Sequence, residues 1–237
     1  MKISFLSFCL VIIINSFLIA QKYEPITIKA GTSIKDYFPA SQRYLYPEFT
    51  RGKVTFKNKI SNPSFFNFNM LTGEMEFLKS KDTLFFAIKK ELDLIVVEKD
   101  TFYYHDAFLQ KVRSGSFSVY LKRSVELKNI LKQGAMGTVN RSAASETYHD
   151  VLVGQRSIDL KPVDDILIQR KDEYFFSIPG YDFVNFNKRN IMKIIPGKES
   201  EIRKFVKSNN LDLESGADLL RVASFLSNLL SDNQEKK

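Results

Sequence analysis

From Pro25 to about Leu127 the apolar positions come in short aromatic and β-branched runs separated by turn residues, the pattern of an antiparallel sheet. Ile26-Thr27-Ile28 opens it, Val54-Thr55-Phe56 follows Gly52, and Lys57-Asn58-Lys59 reads as a turn. Phe65 to Asn69 leads through Leu71-Thr72-Gly73 into Glu74-Met75-Glu76-Phe77, where polar and apolar residues alternate. Thr83 to Ile88 and Leu94 to Val97 are nearly continuous apolar runs, the second turning at Glu98-Lys99-Asp100 and returning as Thr101 to Tyr104. In Ser116 to Leu121 a period of two puts Phe117, Val119 and Leu121 on one face and Ser116, Ser118 and Tyr120 on the other.

Between Gln133 and Ser145 both periodicities lapse in a stretch rich in Gly, Ala and Ser, which is expected to form a flexible loop. Strand character returns at Asp150 to Val153 and in a pair of runs, Ile166 to Ile168 and Tyr174 to Phe176, joined across Lys171-Asp172. From Asn187 the period becomes helical. Pro196-Gly197 ends a short apolar stretch, Ile202, Phe205 and Val206 share one stripe, and Ser215 with Asp218 resembles a capping box. Behind that cap Leu219, Val222, Ala223, Leu226, Leu229 and Leu230 fall on one helical face, while Arg221, Ser224, Ser227 and Asn228 turn away. Such a stripe needs a cover, and one face of the sheet is the simplest. The expected fold is therefore α+β: an antiparallel β-rich body of meander and hairpins over 21–182, including the loop 133–145, with C-terminal helices over 183–237 packed on it.

The first twenty residues read differently. Met1-Lys2 is a positive end, Ile3 to Ile19 is mostly apolar, and Ala20 is small where a signal peptidase would cut before Gln21. Residues 1–20 are thus expected to be a cleaved secretory signal, with an uncleaved anchor as the alternative, since the run is near the lower limit for crossing a bilayer. Cys9 follows Phe8 inside the apolar run, which disfavours a lipoprotein signal, and its loss on cleavage leaves a cysteine-free chain in an oxidising compartment. An exported protein without disulfides points to a bacterial source, in the periplasm or at the cell surface. No later segment is apolar enough for a transmembrane helix.

Tyr44 to Thr50 leading into Gly52 to Phe56, then Leu71 to Phe77, Asp82-Thr83-Leu84 and Asp100 to Tyr104, resemble a group of uncharacterised exported bacterial proteins. The end of the chain, from Ile195-Pro196-Gly197-Lys198-Glu199 through Asn209 to Leu211, is similar to the ending of the same group. The resemblance implies export and a sheet-plus-helix fold. It rests on structural punctuation and carries over no functional residues.

Composition and charge narrow the chemistry. With one Cys and two His there is no ligand set for a structural zinc and no redox pair, and no phosphate-loop, dinucleotide, zinc-protease or nucleophile-elbow motif occurs, so no cofactor is expected. Gly134 and Gly137 are the nearest approach to a glycine loop. Tyr104-His105-Asp106 and Tyr148-His149-Asp150 set each histidine beside a carboxylate, but neighbours on a strand point to opposite faces. A hydrolase reading would pair Ser142 or Ser145 with His149; the carboxylate pairs Glu74/Glu76 and Asp164/Asp165 are the remaining acid/base candidates, the first explained equally by a half-exposed strand.

The formal charge of +8 gathers in two clusters: Arg51, Lys53, Lys57 and Lys59 among Phe49, Phe56, Phe65, Phe66 and Phe68, and Lys188, Arg189, Lys193, Lys198, Arg203, Lys204 and Lys207 at the helical end. Export argues against a specific nucleic-acid partner. The expected function is non-enzymatic, binding or assembly at the envelope through a protein partner or an anionic surface; a hydrolase near 133–145 and a carrier of an apolar ligand are the alternatives.

Overall fold

The computed structural model describes residues 23–133, 139–143, 161–179 and 182–234. The short apolar runs become strands β1 (Ile26–Ile28), β2 (Thr50–Phe56), β3 (Ser61–Asn69), β4 (Glu74–Lys79), β5 (Asp82–Phe85), β6 (Leu92–Val97), β7 (Asp100–His105) and β8 (Ala107–Arg113). Four more follow: β9 (Ser118–Gln133), β10 (Val139–Ala143), β11 (Asp165–Ser177) and β12 (Val184–Asn185). Among the described residues they form one twelve-stranded antiparallel sheet in the order β1-β11-β9-β8-β7-β6-β2-β3-β4-β5, with β10 beside β9 and β12 beside β11. The turns explain the tight meander. Lys79 pairs with Asp82 and Val97 with Asp100, leaving two-residue connections whose first residues, Ser80 and Glu98, take φ of 60° and 51°. That left-handed backbone matches the twist of the flanking strands.

The sheet curls, because β4 comes back against β8. Inside the curl Phe66, Phe68, Met75, Ile95, Phe102 and Phe108 make one core. A second core lies at the β1 end, where Ile28, Leu127, Ile130, Ile166 and Ile168 pack with Ile34 and Phe38. The third covers the helices: Phe117, Val119 and Phe176 of the sheet region meet Ile202, Leu219, Val222, Ala223 and Leu226. The helices are Lys188–Ile191, Glu199–Ser208 and Gly216–Gln234, and they come last in the chain, as the α+β reading expects. Ser215 caps the last one, its backbone carbonyl accepting from Leu219 N–H at 2.9 Å.

Three expectations are corrected. Ile166–Ile168 and Tyr174–Phe176 are not two strands but parts of the single strand β11, which pairs with β9 without a turn at Lys171-Asp172. β9 runs from Ser118 through the expected sheet limit near Leu127 to Gln133, its polar residues finding partners on the neighbouring strand. The segment 133–145 contains β10, paired with Asn129–Gln133 of β9, where a loop was expected. The run Thr83 to Ile88 stops being strand at Phe85, and every residue of β5 is exposed. The short helices Ile34–Tyr37 and Ala40–Arg43 were not foreseen; Ser33 Oγ caps the first by accepting from Asp36 N–H at 3.1 Å.

Candidate functional site

Two regions of the sheet carry exposed or unfinished chemistry. The first is the outer face of the β2–β5 meander. Arg51 lies directly across from Phe65, and Lys53 from Pro63, so the two cations share a face with the aromatic ring. On the same face Asn67 opposes Glu76, and Glu76 opposes Phe85 of β5, the last strand of the sheet order. Phe65 and Phe85 are 51% and 41% exposed, far more than an interior aromatic, and Ile88 just beyond β5 is exposed too, while Leu84, opposite Phe77, is exposed on the other face. Ile60 is exposed in the β2–β3 turn, and Lys57 N–H donating to Glu91 O brings that turn beside the segment after Ile88. The charged neighbours Arg51, Lys53, Lys57 and Lys59 are all exposed, Lys59 pairing with Asp93 at 2.8 Å. Of the aromatics grouped with these cations in the sequence, Phe66 and Phe68 are core, Phe49 and Phe56 are half-buried, and only Phe65 is exposed.

Between the exposed rings the same face is roofed over. The β2–β3 pairing stops at Thr50 opposite Phe66 and resumes as an isolated bridge between Tyr44 and Asn69. Asn67 fills the interruption: its amide oxygen accepts from Tyr46 N–H at 3.1 Å, and its amide nitrogen donates to Tyr46 O at 2.9 Å and Glu48 O at 3.2 Å. Beneath this strap Glu76 is buried, accepting from Tyr44 Oη at 2.7 Å and Asn69 Nδ2 at 2.9 Å. Glu76 is therefore not on a half-exposed strand face. Burial and the carboxylate bond together raise the Tyr44 phenol well above its ordinary value.

The second region is a cleft of about 380 Å³ where the β3–β4 turn and the β7–β8 turn meet β9 and β11. Its walls pair their charges: Lys89 bonds Glu74, Lys122 bonds Glu173 at 2.9 Å, and Lys171 adds a second contact to Glu173 at 3.3 Å. Burial pushes the Glu74 carboxyl up against the pull of Lys89. Burial also acts upward on Glu173, but Lys122 and Lys171 outweigh it and hold that carboxyl below its usual range. Thr72 Oγ1 and Glu74 Oε2 are buried without a hydrogen-bond partner among the described residues. Behind the cleft a polar chain crosses the sheet: Tyr46 Oη donates to Asp100 at 2.7 Å, Gln110 donates to Asp100 at 3.0 Å, and Arg123 donates to Gln110. Arg123 also faces Asp172 across the β9–β11 ladder.

The other sequence candidates are not gathered into a site. His105 is partly exposed at the end of β7, its Nδ1 3.7 Å from Asp182 and its ring 5.3 Å from Phe183. Asp165 serves as a local anchor, accepting from Lys29 Nζ at 2.7 Å and Ala30 N–H at 2.9 Å. Ser142 lies on β10. Ala20, Gln21, Gly134, Gly137, Ser145, His149 and Asp150 lie outside the described residues, as does the expected strand 150–153. Lys188, Arg189, Lys193, Arg203, Lys204 and Lys207 are exposed around the C-terminal helices, and Lys198 pairs with Glu201 at 2.5 Å. Among the described residues no helix is long and apolar enough to cross a membrane, and no group of His, Cys, Asp and Glu is arranged to hold a metal. No protein-family model, curated protein or solved structure matches the chain. The cleft was not legible in the sequence, because its walls come from turns and strands far apart along the chain.

Proposed function

We propose that this chain is an exported bacterial envelope protein that acts by binding, and that its partner is an anionic envelope surface engaged by the β2–β5 face. The observation carrying this reading is the exposure of Phe65 and Phe85 on one face, with Ile60 and Ile88 beside it, among Arg51, Lys53, Lys57 and Lys59 at the end of the sheet. Apolar rings supply the interfacial burial and the cations supply the attraction, the combination that holds peripheral proteins to anionic lipid. The apolar N-terminal run supports the compartment. The charged walls of the cleft favour a polar occupant over the apolar cargo of a carrier.

The test is co-sedimentation with vesicles of phosphatidylglycerol and of phosphatidylcholine at two salt concentrations. Binding to the anionic vesicles that weakens with salt is expected. Each basic residue near such a surface contributes about 1 kcal/mol, so Lys53→Glu with Lys57→Glu and Lys59→Glu should lower binding more than 100-fold. Phe65→Ser with Phe85→Ser should weaken it while leaving the salt dependence in place. Equal binding to both vesicle types, or none to either, rejects the reading and turns attention to a protein partner.

A further inference from the structure

The open edge of β5 carries a separate inference, which goes beyond the surface reading and does not depend on it. β5 ends the sheet order, and all four of its residues are exposed. Its two-residue connection to β4 makes Lys79 and Asp82 a hydrogen-bonded pair, and along an antiparallel ladder such pairs alternate with non-bonded ones. Phe77 and Leu84 therefore bond each other. Thr83, opposite Leu78, and Phe85, opposite Glu76, turn their N–H and C=O groups away from β4. Among the described residues β5 has no second neighbour, so these four groups face solvent. The chain does not fold back over them: Phe86 turns its ring inward against Phe66 and Phe77, and the backbone leaves for β6, beside β2. Thr83-Leu84-Phe85 carries no charge, proline or bulge to guard the edge, and two of its side chains are apolar.

We infer that this edge pairs with the same edge of a second copy of the chain, joining two sheets into one. The occupant follows from the edge being its own complement. Its outward-facing residues are two apart, so a two-fold axis at Leu84 sets Thr83 of each copy opposite Phe85 of the other as a bonded pair. Each Thr83 N–H then donates to a Phe85 carbonyl and each Phe85 N–H to a Thr83 carbonyl, and every outward group is used. An axis at Thr83 would put Phe85 opposite Lys81 in the turn, and one at Phe85 would put Thr83 opposite Ala87, beyond the strand. The side chains agree with the Leu84 register. Leu84 meets Leu84 on the face it shares with Phe77, while Thr83 and Phe85 form a β-branched and aromatic pair on the other face. Asp82 falls opposite Phe86, so no like charges oppose each other within the paired stretch. The axis stands perpendicular to the sheet, and both Phe85 rings emerge on one face with Phe65 of each copy.

So small a contact belongs with the weak interfaces, and the experiment is sedimentation equilibrium of the purified chain from about 10 µM to about 1 mM. A shift from monomer towards dimer across that range is expected. Thr83→Pro removes one outward N–H and no bond to β4, so it should weaken the dimer about tenfold while the variant stays folded by circular dichroism. Disulfide trapping in a Cys9→Ser background, where the introduced cysteine is the only one, reads the register. Leu84→Cys places its two sulfurs across a non-bonded pair with Cα atoms about 4.5 Å apart, within disulfide reach, and mild oxidation should join the copies. Thr83→Cys, opposite Phe85, should stay largely monomeric. The comparison of these two variants decides even where proline disturbs the hairpin. A monomer at every concentration overturns the inference, as does a dimer that a folded Thr83→Pro leaves intact, or equal trapping of the two cysteine variants. No vesicles enter either measurement, so failure here leaves the surface reading standing, and the reverse.

Discussion

Replacing Asn67 by Ala isolates one side chain that stands in for a missing piece of sheet. Its amide, 1% exposed, makes three hydrogen bonds to main-chain groups of Tyr46 and Glu48. Alanine leaves Tyr46 N–H and Tyr46 O without partners in a buried setting, while Glu48 O lies near enough to the surface for water to reach it. Each orphaned buried group costs about 1–3 kcal/mol, so two give roughly 3 kcal/mol. For a chain of this size 1 kcal/mol moves the midpoint by about 2–4 °C, and Tm should fall by about 6–12 °C. Thermal unfolding followed by circular dichroism measures this, and amide exchange at Tyr46 should accelerate in the folded state. Asn67→Asp keeps the acceptor, loses both donor bonds and buries a charge, so at neutral pH it should cost at least as much. A drop below about 2 °C in Asn67→Ala, with the Tyr46 amide still slow to exchange, would refute the idea that Asn67 bridges the interrupted ladder.

The remaining predictions concern packing and pH. At Gly52 an added Cβ would stand 2.4 Å from Val96 O and 2.9 Å from Phe66 Cδ2, so Gly52→Ala should cost about 1–3 kcal/mol in urea unfolding, the central position of β2 leaving no room to retreat. Leu226→Ala empties the centre of the helix–sheet core, where Leu226 is fully buried, and should cost about 2–5 kcal/mol by the same assay. Burial raises the Asp172 carboxyl despite Arg123, Tyr23 and Arg170, so its contribution to stability is fully present below the ordinary carboxylate range and is lost as pH rises through its folded value. Asp172→Asn should remove that decline, measured as the difference in urea midpoint between mildly acidic and neutral pH. Glu173 is held low and works in the opposite sense: its stabilisation is present above the ordinary range and disappears on acidification, and Glu173→Gln should flatten that loss.

The last helix was legible because Leu219, Val222, Ala223, Leu226 and Leu229 are all buried on the stripe that their spacing defines. The hairpins β2–β3, β3–β4 and β6–β7 were legible because their turns fall between apolar runs, whereas β8 (Ala107–Arg113) carries no such signal in its sequence. β11 was misread for a physical reason: Lys171-Asp172 resembles a turn only if its charges have no partners, and here Lys171 meets Glu173 while Asp172 lies opposite Arg123. The charged stretch of β9 from Lys122 to Lys128 is held as strand in the same way, with Glu173 across the ladder answering Lys122. Composition counts a charge as a vote against a strand; cross-strand pairing cancels the vote, and the partner sits some fifty residues away, as in Lys122 and Glu173 at a separation of 51. Glu76 shows the same blindness in reverse, since nothing in its local alternation tells of the strap from Tyr44 to Glu48 that buries it.

The pairing of β1 with β11 sets an order of events for the growing chain. Ile26, Thr27 and Ile28 take as partners Ile168, Leu167 and Ile166, and the neighbouring tie between Lys29 and Asp165 spans 136 positions. A polypeptide made or threaded N-terminus first therefore presents its opening strand long before the strand it belongs beside. Until β11 emerges, Ile28 has no sheet to enter, and the Ile-rich core around it cannot close. Such distant closure slows folding, because loop entropy is spent before contacts repay it. The meander β2–β8, built from neighbours in sequence, can assemble early, and the first residues of the sheet are among the last to lock into place.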